Sequence, residues 1–330
     1  DFLLRNYIFN PMIYHLLLFI LGLLLLYLGA EWLVKGSSRM ARFFGIKPII
    51  IGITVVAFGT SSPEACVSLI AVIKDTRSIA LGNIIGSNIA NIGLILGLSA
   101  LISPIKIELS LLRRELPIMI IASLLLYFMA LDGKLTFFDG IILLLGLLAF
   151  LGFCCFSVLS KSSSDEGLVK DLIPLKENNG VIWKHITFSL LGLFFLVGGS
   201  HFIVESSLFI ARSFGISELV IGLSMVAIGT SLPELATSLV ASYRKENEIC
   251  IGNAVGSNIF NILFVIGTMS IITTLSIDEG VLEFQFPIML LFSLGIFPLM
   301  KTGFILGRKE GMILFLGYLI FLALLFHSPN

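Results

Sequence analysis

Glu64 and Glu234 are the residues whose chemistry fits their surroundings least. Each follows a proline, in "GTSSPE" (Gly59–Glu64) and "GTSLPE" (Gly229–Glu234), and each lies near the middle of an apolar segment. A carboxylate at mid-bilayer depth costs at least about 2.5 kcal/mol unless it is paired or hydrated. No Lys or Arg sits at comparable depth in either segment. Two central carboxylates without a protein counterion call for a mobile one, either a metal cation or protons.

The segments that follow supply neutral oxygens. Asn83, Ser87 and Asn91 are spaced i, i+4, i+8, on one face of a helix, and so are Asn253, Ser257 and Asn261. Carboxylates, hydroxyls, amides and backbone carbonyls together make a hard-oxygen site suited to Ca²⁺ or Na⁺. Soft ligands are missing, because Cys66 and Cys250 do not occupy repeated positions, which argues against Cu or Zn. Taken singly, Ser, Thr and Gly in membrane helices serve packing. A glutamate beside a proline at mid-depth, with the same set found twice in register, reads as function. Asn88 and Asn258 fall off the main stripe, and their reading stays open between backbone binding and the site. Glu31, whose counterpart is His201, is open between packing, surface anchoring and function.

A helix must break to place these groups. Proline has no backbone donor and clashes one turn back, and Gly59 adds freedom just before Pro63. The carbonyls from Ala57 to Ser61 are therefore expected to be freed toward a cavity, with Ser61 or Ser62 capping the half-helix that begins near Pro63. Such breaks are tolerated at membrane depth only where protein or water covers them. Gly82 with Gly86, and Gly252 with Gly256, form GxxxG pairs that allow close helix approach.

The elements that carry this chemistry are membrane helices. The 330 residues are 57% hydrophobic and 13% charged, with mean hydropathy +1.05; soluble domains carry about 25% charged residues. The apolar runs are continuous, so helices are expected and not a barrel. Ten spans are predicted, near 11–37, 48–73, 79–102, 114–131, 137–159, 185–211, 218–243, 249–274, 284–300 and 304–326. The first run is too long for a signal peptide. Lys+Arg and Asp+Glu balance at 21 each, which gives no sign of a nucleic-acid partner. The four cysteines read as small core packers, and His201 as a packing residue.

The chain repeats itself. "GITVVAFGTSSPE" at Gly52 matches "GLSMVAIGTSLPE" at Gly222, and "GNIIGSNIANI" at Gly82 matches "GNAVGSNIFNI" at Gly252. The offset is constant: 222 − 52 = 170 and 252 − 82 = 170. Aligned without gaps, 29–97 and 199–267 share roughly 30 identities in about 70 pairs, which marks a duplication. Five spans per copy means that the second copy enters the membrane from the opposite side, an inverted-topology repeat common among secondary transporters. The predicted fold is an all-α membrane protein of ten helices in two inverted five-helix repeats, with broken helices at the centre. Residues 1–160 form the first repeat, 161–184 a connecting loop and 185–330 the second repeat. Connections after odd-numbered spans hold about 16 Lys/Arg and the opposite side about five, of 21 in all, so the 161–184 loop is expected in the cytoplasm and both termini outside.

These motifs resemble the cation/calcium antiporter superfamily, above all the prokaryotic sodium/calcium exchangers, whose two α-repeats look like "GTSSPE…GNIIGSNIANIG" and "GTSLPE…GNAVGSNIFNIL". The resemblance covers nearly the whole chain. It implies an antiporter in the plasma or inner membrane that exchanges cytosolic Ca²⁺ for external Na⁺ by alternating access, with no enzyme activity, cofactor or obligate protein partner. It also implies that Glu64 and Glu234 are shared by Ca²⁺ and Na⁺, and that Thr60 and Thr230 give backbone carbonyls to Ca²⁺. The Ala57 and Ala227 carbonyls, with Ser61, Ser231, Ser87 and Ser257, would complete outer Na⁺ sites. Asn91 would line the centre, and Asn261 stands where many relatives carry Asp. Ca²⁺/H⁺ or K⁺-dependent exchange on the same fold is the alternative. A channel is a further class, and so is an intramembrane hydrolase, although no His or Lys accompanies Ser61 or Ser231 as a base.

Overall fold

The computed structural model describes residues 11–73, 77–161, 179–213 and 229–327. Among these residues, six helices are long and apolar enough to cross a membrane: Pro11–Phe43, Ala80–Ile102, Phe137–Ser157, Ile182–Ile210, Asn247–Ile272 and Val281–Lys301. A seventh is a pair, Pro48–Thr60 and Ser62–Ile73, bent by 43°. Of the other expected spans, 218–243 lies partly outside the described residues. Helices occupy the positions of 114–131 and 304–326, but Glu115–Ala130 has only 16 residues, and Arg308–His327 opens on Arg308, Lys309 and Glu310.

In chain order the helices that matter below are α1 (Pro11–Phe43), α2 (Pro48–Ile51), α3 (Ala57–Thr60), α4 (Ser62–Ile73), α5 (Arg77–Ala90), α6 (Gly97–Ile102), α7 (Leu109–Arg113), α8 (Glu115–Ala130), α9 (Phe137–Lys161), α10 (Asn179–Ser213), α11 (Leu232–Tyr243) and α12 (Asn247–Phe260). π-helical turns at Gly52–Val56, Asn91–Leu96 and Asn261–Ile266 join α2 to α3, extend α5 into α6, and extend α12. Both α1 and α10 run past the expected span limits of 37 and 185. Hydropathy marks where the bilayer ends, whereas a helix continues as long as good formers such as Arg39, Arg42 and Lys184 follow.

The helices bearing the Asn–Ser–Asn stripes form the enclosed centre. Of the most apolar stretch of Ala80–Ile102, 78% is buried, and of Asn247–Ile272, 94%, against 17% for α1. Glycine allows the closest approaches. A Cβ on Gly256 would lie 2.5 Å from the Ile53 carbonyl oxygen, so α12 packs backbone to backbone on the 52–56 π turn, as its GxxxG pair predicts. Gly82 and Gly86 show no such contact among the described residues, and the segment equivalent to 52–56, 222–226, lies outside them. The long helices α1 and α10 also meet through glycine: a Cβ on Gly29 would lie 2.7 Å from the Gly192 carbonyl oxygen, and one on Gly199 would lie 2.7 Å from that of Gly22.

Short strands tie the two halves crosswise. β1 (Ile105–Lys106) pairs antiparallel with β4 (Ile305–Leu306), and β2 (Lys134–Leu135) with β3 (Leu275–Ser276). Two expectations about packing need correction. Cys154 and Cys250 are buried, but Cys66 and Cys155 are exposed. His201 lies on an exposed face beside Glu205, at 3.8 Å. On a lipid-facing helix the outer surface is as apolar as the core, so composition does not separate the two.

Candidate functional site

The break in the first half falls at Ser61, between α3 and α4. Pro63 cannot donate to the Gly59 carbonyl one turn back, which opens the helix there. The carbonyls nearby are less free than expected. Ser61 N donates to Ala57 O at 2.9 Å, and Ala65 N to Ser61 O at 3.0 Å. The second half repeats the turn, with Leu235 N donating to Ser231 O at 3.0 Å. Ser231 holds the N-cap position of α11 but makes no side-chain cap bond, and Ser62 Oγ donates back to Phe58 O at 2.7 Å.

The serine hydroxyls go instead to the opposite half. Ser61 Oγ donates to Glu234 Oε1 at 2.9 Å, and Ser231 Oγ to Glu64 Oε1 at 3.0 Å. These two bonds are exact counterparts, since 231 − 61 and 234 − 64 are both 170. Both glutamates are 1% exposed, and their carboxyls lie within electrostatic reach of each other. Among the described residues no ion pair reaches either, and no donor reaches the second oxygen of each, Oε2, while the two carboxyls are within hydrogen-bond reach of each other. A buried carboxylate left like this is strongly penalised. Two of them facing each other repel, so the arrangement can take up a cation or a proton.

Neutral oxygens surround the pair. Ser87 Oγ lies 3.2 Å from Ser231 Oγ, and Ser257 Oγ is buried without a partner among the described residues. Thr60 Oγ1 donates to Asn253 Oδ1 at 2.9 Å and lies 3.3 Å from Ala57 O. The Thr60 hydroxyl is also within hydrogen-bond reach of the Glu234 carboxyl. Thr230 is buried on the second half, and Ala227 lies outside the described residues. The structure thus brings together Ser61, Glu64, Ser87, Ser231 and Glu234, with Thr60 joined to this set through Asn253, which bonds Glu234 O at 3.2 Å. Asn91 and Asn261 are buried in a neighbouring amide cluster, each at the first residue of a π-helical turn. Such turns are frequent at functional sites, and hydropathy gives no sign of them.

Some supporting residues were not singled out by sequence. Asn83 Nδ2 donates to Ser68 Oγ at 3.2 Å, and its counterpart Asn253 Nδ2 to Ser238 Oγ at 2.9 Å. The constant offset of 170 between Ser68 and Ser238 was the available signal. Glu31 has a definite partner. It forms an ion pair with Arg244, at the end of α11, and another with Lys35 at 2.6 Å. A cavity of about 210 Å³ lined by Phe58, Ser61, Ser62, Cys66, Phe260 and Phe264 reaches the site at Ser61.

Known proteins are similar to this chain in sequence and fold. The family model described as "Sodium/calcium exchanger protein" matches residues 14–156 and 184–327. The inner membrane protein YrbG of Escherichia coli (strain K12) is 40% identical over 317 residues, which cover 94% of this chain and 96% of that protein. The sodium/calcium exchanger MaX1 of Methanosarcina acetivorans is 34% identical, over 94% of this chain and 98% of that protein. Among solved structures, the sodium-calcium exchanger NCX_Mj soaked with 10 mM Na⁺ and zero Ca²⁺ superposes with a TM-score of 0.82 at 34% identity, covering 94% of this chain and 99% of that one. With both halves matched and the relatives aligned nearly end to end, the chain belongs to the sodium/calcium exchanger family.

Proposed function

We propose that this protein is a secondary antiporter that exchanges Ca²⁺ for Na⁺ across the inner or plasma membrane by alternating access. The observation that carries the reading is the central pair, Glu64 and Glu234. They are buried face to face, each is held by the other half's serine, and each keeps one oxygen without a donor among the described residues. Two carboxylates neutralise one Ca²⁺ or two monovalent ions, so the same pair is satisfied by either cargo in turn. Any further Na⁺ makes the cycle electrogenic.

In this reading the Thr60 and Thr230 carbonyls complete the Ca²⁺ shell. Ala57 and Ala227 carbonyls with Ser61, Ser231, Ser87 and Ser257 hold flanking Na⁺ ions, and Asn91 and Asn261 line the centre. The two halves, 1–160 and 185–330, are inverted relative to each other and together make ten spans. This lets one site face either side in turn. The 161–184 connection lies in the cytoplasm and both termini lie outside, following the Lys/Arg asymmetry.

The test is Ca²⁺ counter-transport by the purified protein in proteoliposomes, with Na⁺, K⁺ and H⁺ gradients imposed separately. A Na⁺ gradient should drive Ca²⁺ uptake with the pH gradient collapsed and K⁺ absent. Flux that follows only the pH gradient, or only appears with K⁺, would replace Na⁺ as the driving ion.

A further inference from the structure

Asn91 and Asn261 are tied to asparagines of the opposite half. Asn91 Nδ2 donates to Asn258 Oδ1 at 2.9 Å, and Asn261 Nδ2 to Asn88 Oδ1 at 3.1 Å. Behind these acceptors lie groups that can only accept. Asn258 Nδ2 donates to the Asn88 backbone carbonyl at 3.2 Å and to Met119 Sδ at 3.7 Å, and Asn88 Nδ2 donates to Met289 Sδ at 3.8 Å. The two methionines are themselves counterparts, since 289 − 119 = 170. All four asparagines are 1% exposed, so water does not compete for these bonds. The Oδ1 atoms of Asn91 and Asn261 have no partner among the described residues.

The polarity of this cluster follows from what each group can do. A thioether sulfur and a peptide carbonyl have no proton to give, so they take the NH₂ ends of Asn88 and Asn258. The oxygens of Asn88 and Asn258 then face Asn261 and Asn91, which must answer with their own NH₂ groups. Turning either of the last two over would set oxygen against oxygen at about 3 Å and leave an NH₂ without a bond. The cluster therefore ends on two bare amide oxygens.

We infer that Asn88 and Asn258 are positioning residues: they lock Asn261 and Asn91 with the carbonyl end presented to the transported cation and the NH₂ end held away from it. This rests on the cation-exchange reading above and deepens it. An amide that was free to turn would offer its positive end half the time, which penalises a divalent ion more than a monovalent one. Asn88 and Asn258 touch no ion themselves, and they act through their neighbours. Partners of this kind set metal affinity in other sites by 10- to 100-fold.

The test is Asn88→Leu, which keeps the branching and number of side-chain heavy atoms and removes the acceptor, assayed in proteoliposomes beside the unaltered protein. The Ca²⁺ concentration at half-maximal flux should rise about tenfold, with the maximal rate held within about twofold and the Na⁺ dependence shifted less than the Ca²⁺ dependence. Asn88→Asp, which restores an oxygen facing Asn261, should recover most of the loss. Asn258→Leu should act in the same way through Asn91, and it stands in if Asn88→Leu fails to fold. If both leucine variants fail to fold, Asn88→Ser, a smaller change that also withdraws the acceptor, is read by the same criterion. Half-saturation within about twofold of the unaltered protein, or a fall confined to the maximal rate, would show that these asparagines only pack helices. A lack of exchange by the unaltered protein would instead defeat the functional reading itself.

Discussion

The centre of the molecule and the helix ends that surround it treat the duplication differently. At the centre every important residue has an identical counterpart: Ser61 and Ser231, Glu64 and Glu234, Asn91 and Asn261. Their hydrogen bonds are exchanged pair for pair between the halves. At the ends the correspondence fails. Glu31 and Lys35 on α1 become His201 and Glu205 on α10, so the acid moves from the first position to the second. Arg244, which binds Glu31, corresponds to Lys74, which lies outside the described residues. Arg42 bonds both Ser38 and Glu246, which again ties α1 to the turn after α11. Lys47 pairs with Glu108, while Glu248 accepts from Ile49 N at the start of α2. The alternating-access mechanism proposed above needs a symmetric site but places no such demand on the surrounding contacts, and the ion pairs described here gather on the end that carries Arg42, Lys47 and Arg244.

Glu64→Gln and Glu234→Gln probe the symmetric half of this comparison and should have the largest effect. Each removes one of two charges facing the cargo, so Ca²⁺ flux should fall about 100-fold or more, beyond what the loss of an outer-shell partner costs. The protein should remain folded, since a repulsive buried charge has been taken away. The two losses should be alike. A wide disparity between them in proteoliposome flux would show that the halves are not equivalent at the ion.

Breaking the Glu31–Arg244 pair probes the asymmetric part. Glu31→Gln frees α1 from α11 on one face only, so it should raise the population open on that face. Apparent Ca²⁺ affinity scales with the fraction of molecules competent to bind. The ratio of Ca²⁺ half-saturation between right-side-out and inside-out vesicles should therefore move by roughly three- to tenfold, as expected for a partly buried pair. His201→Gln, at the equivalent position, should leave the ratio in place. Equal effects from both substitutions would remove the distinction between the two ends.

The smallest effect belongs to Glu108. Burial alone would raise its carboxyl, but hydrogen bonds from Lys47 and Ser110, with the Lys47 charge, outweigh this and hold it below the usual glutamate value of 4.5. A lowered value in the folded state stabilises the protein above that pH, and the contribution is lost as pH falls through it. The side chain is 36% exposed, so solvent screens much of the gain. Thermal unfolding of Glu108→Gln should lie slightly below that of the unaltered protein at pH 7 and converge with it below pH 4.5. A constant gap across this range would mean that Glu108 acts through packing.

The sequence made the centre readable because polar residues in an apolar chain have few uses, and these recur in register. Pro63 located the break, and the two glutamates expected at the centre are both buried there. The choice of partners could not be read. Ser61 or Ser62 was expected to cap the half-helix, but Ser61 bonds Glu234, a contact 173 residues away in sequence. Glu31 finds Arg244 across 213 residues, and Asn88 finds Asn261 across 173. A helical stripe shows which face a residue occupies but not which helix meets that face. The π-helical turns at Asn91 and Asn261 and the exposure of Cys66 were hidden for a related reason: buried and outward-facing apolar residues of these helices look alike, so hydropathy has little contrast to report.

Glu64 leaves the ribosome 167 residues before the serine that binds it. At about 5–20 residues per second, that separation is roughly 8–33 seconds of synthesis. By the end of that interval the first half holds a carboxyl, three stripe oxygens and the edges of β1 and β2 still without their mates. Lipid is a poor place to wait, so the order of manufacture is itself a constraint on this architecture.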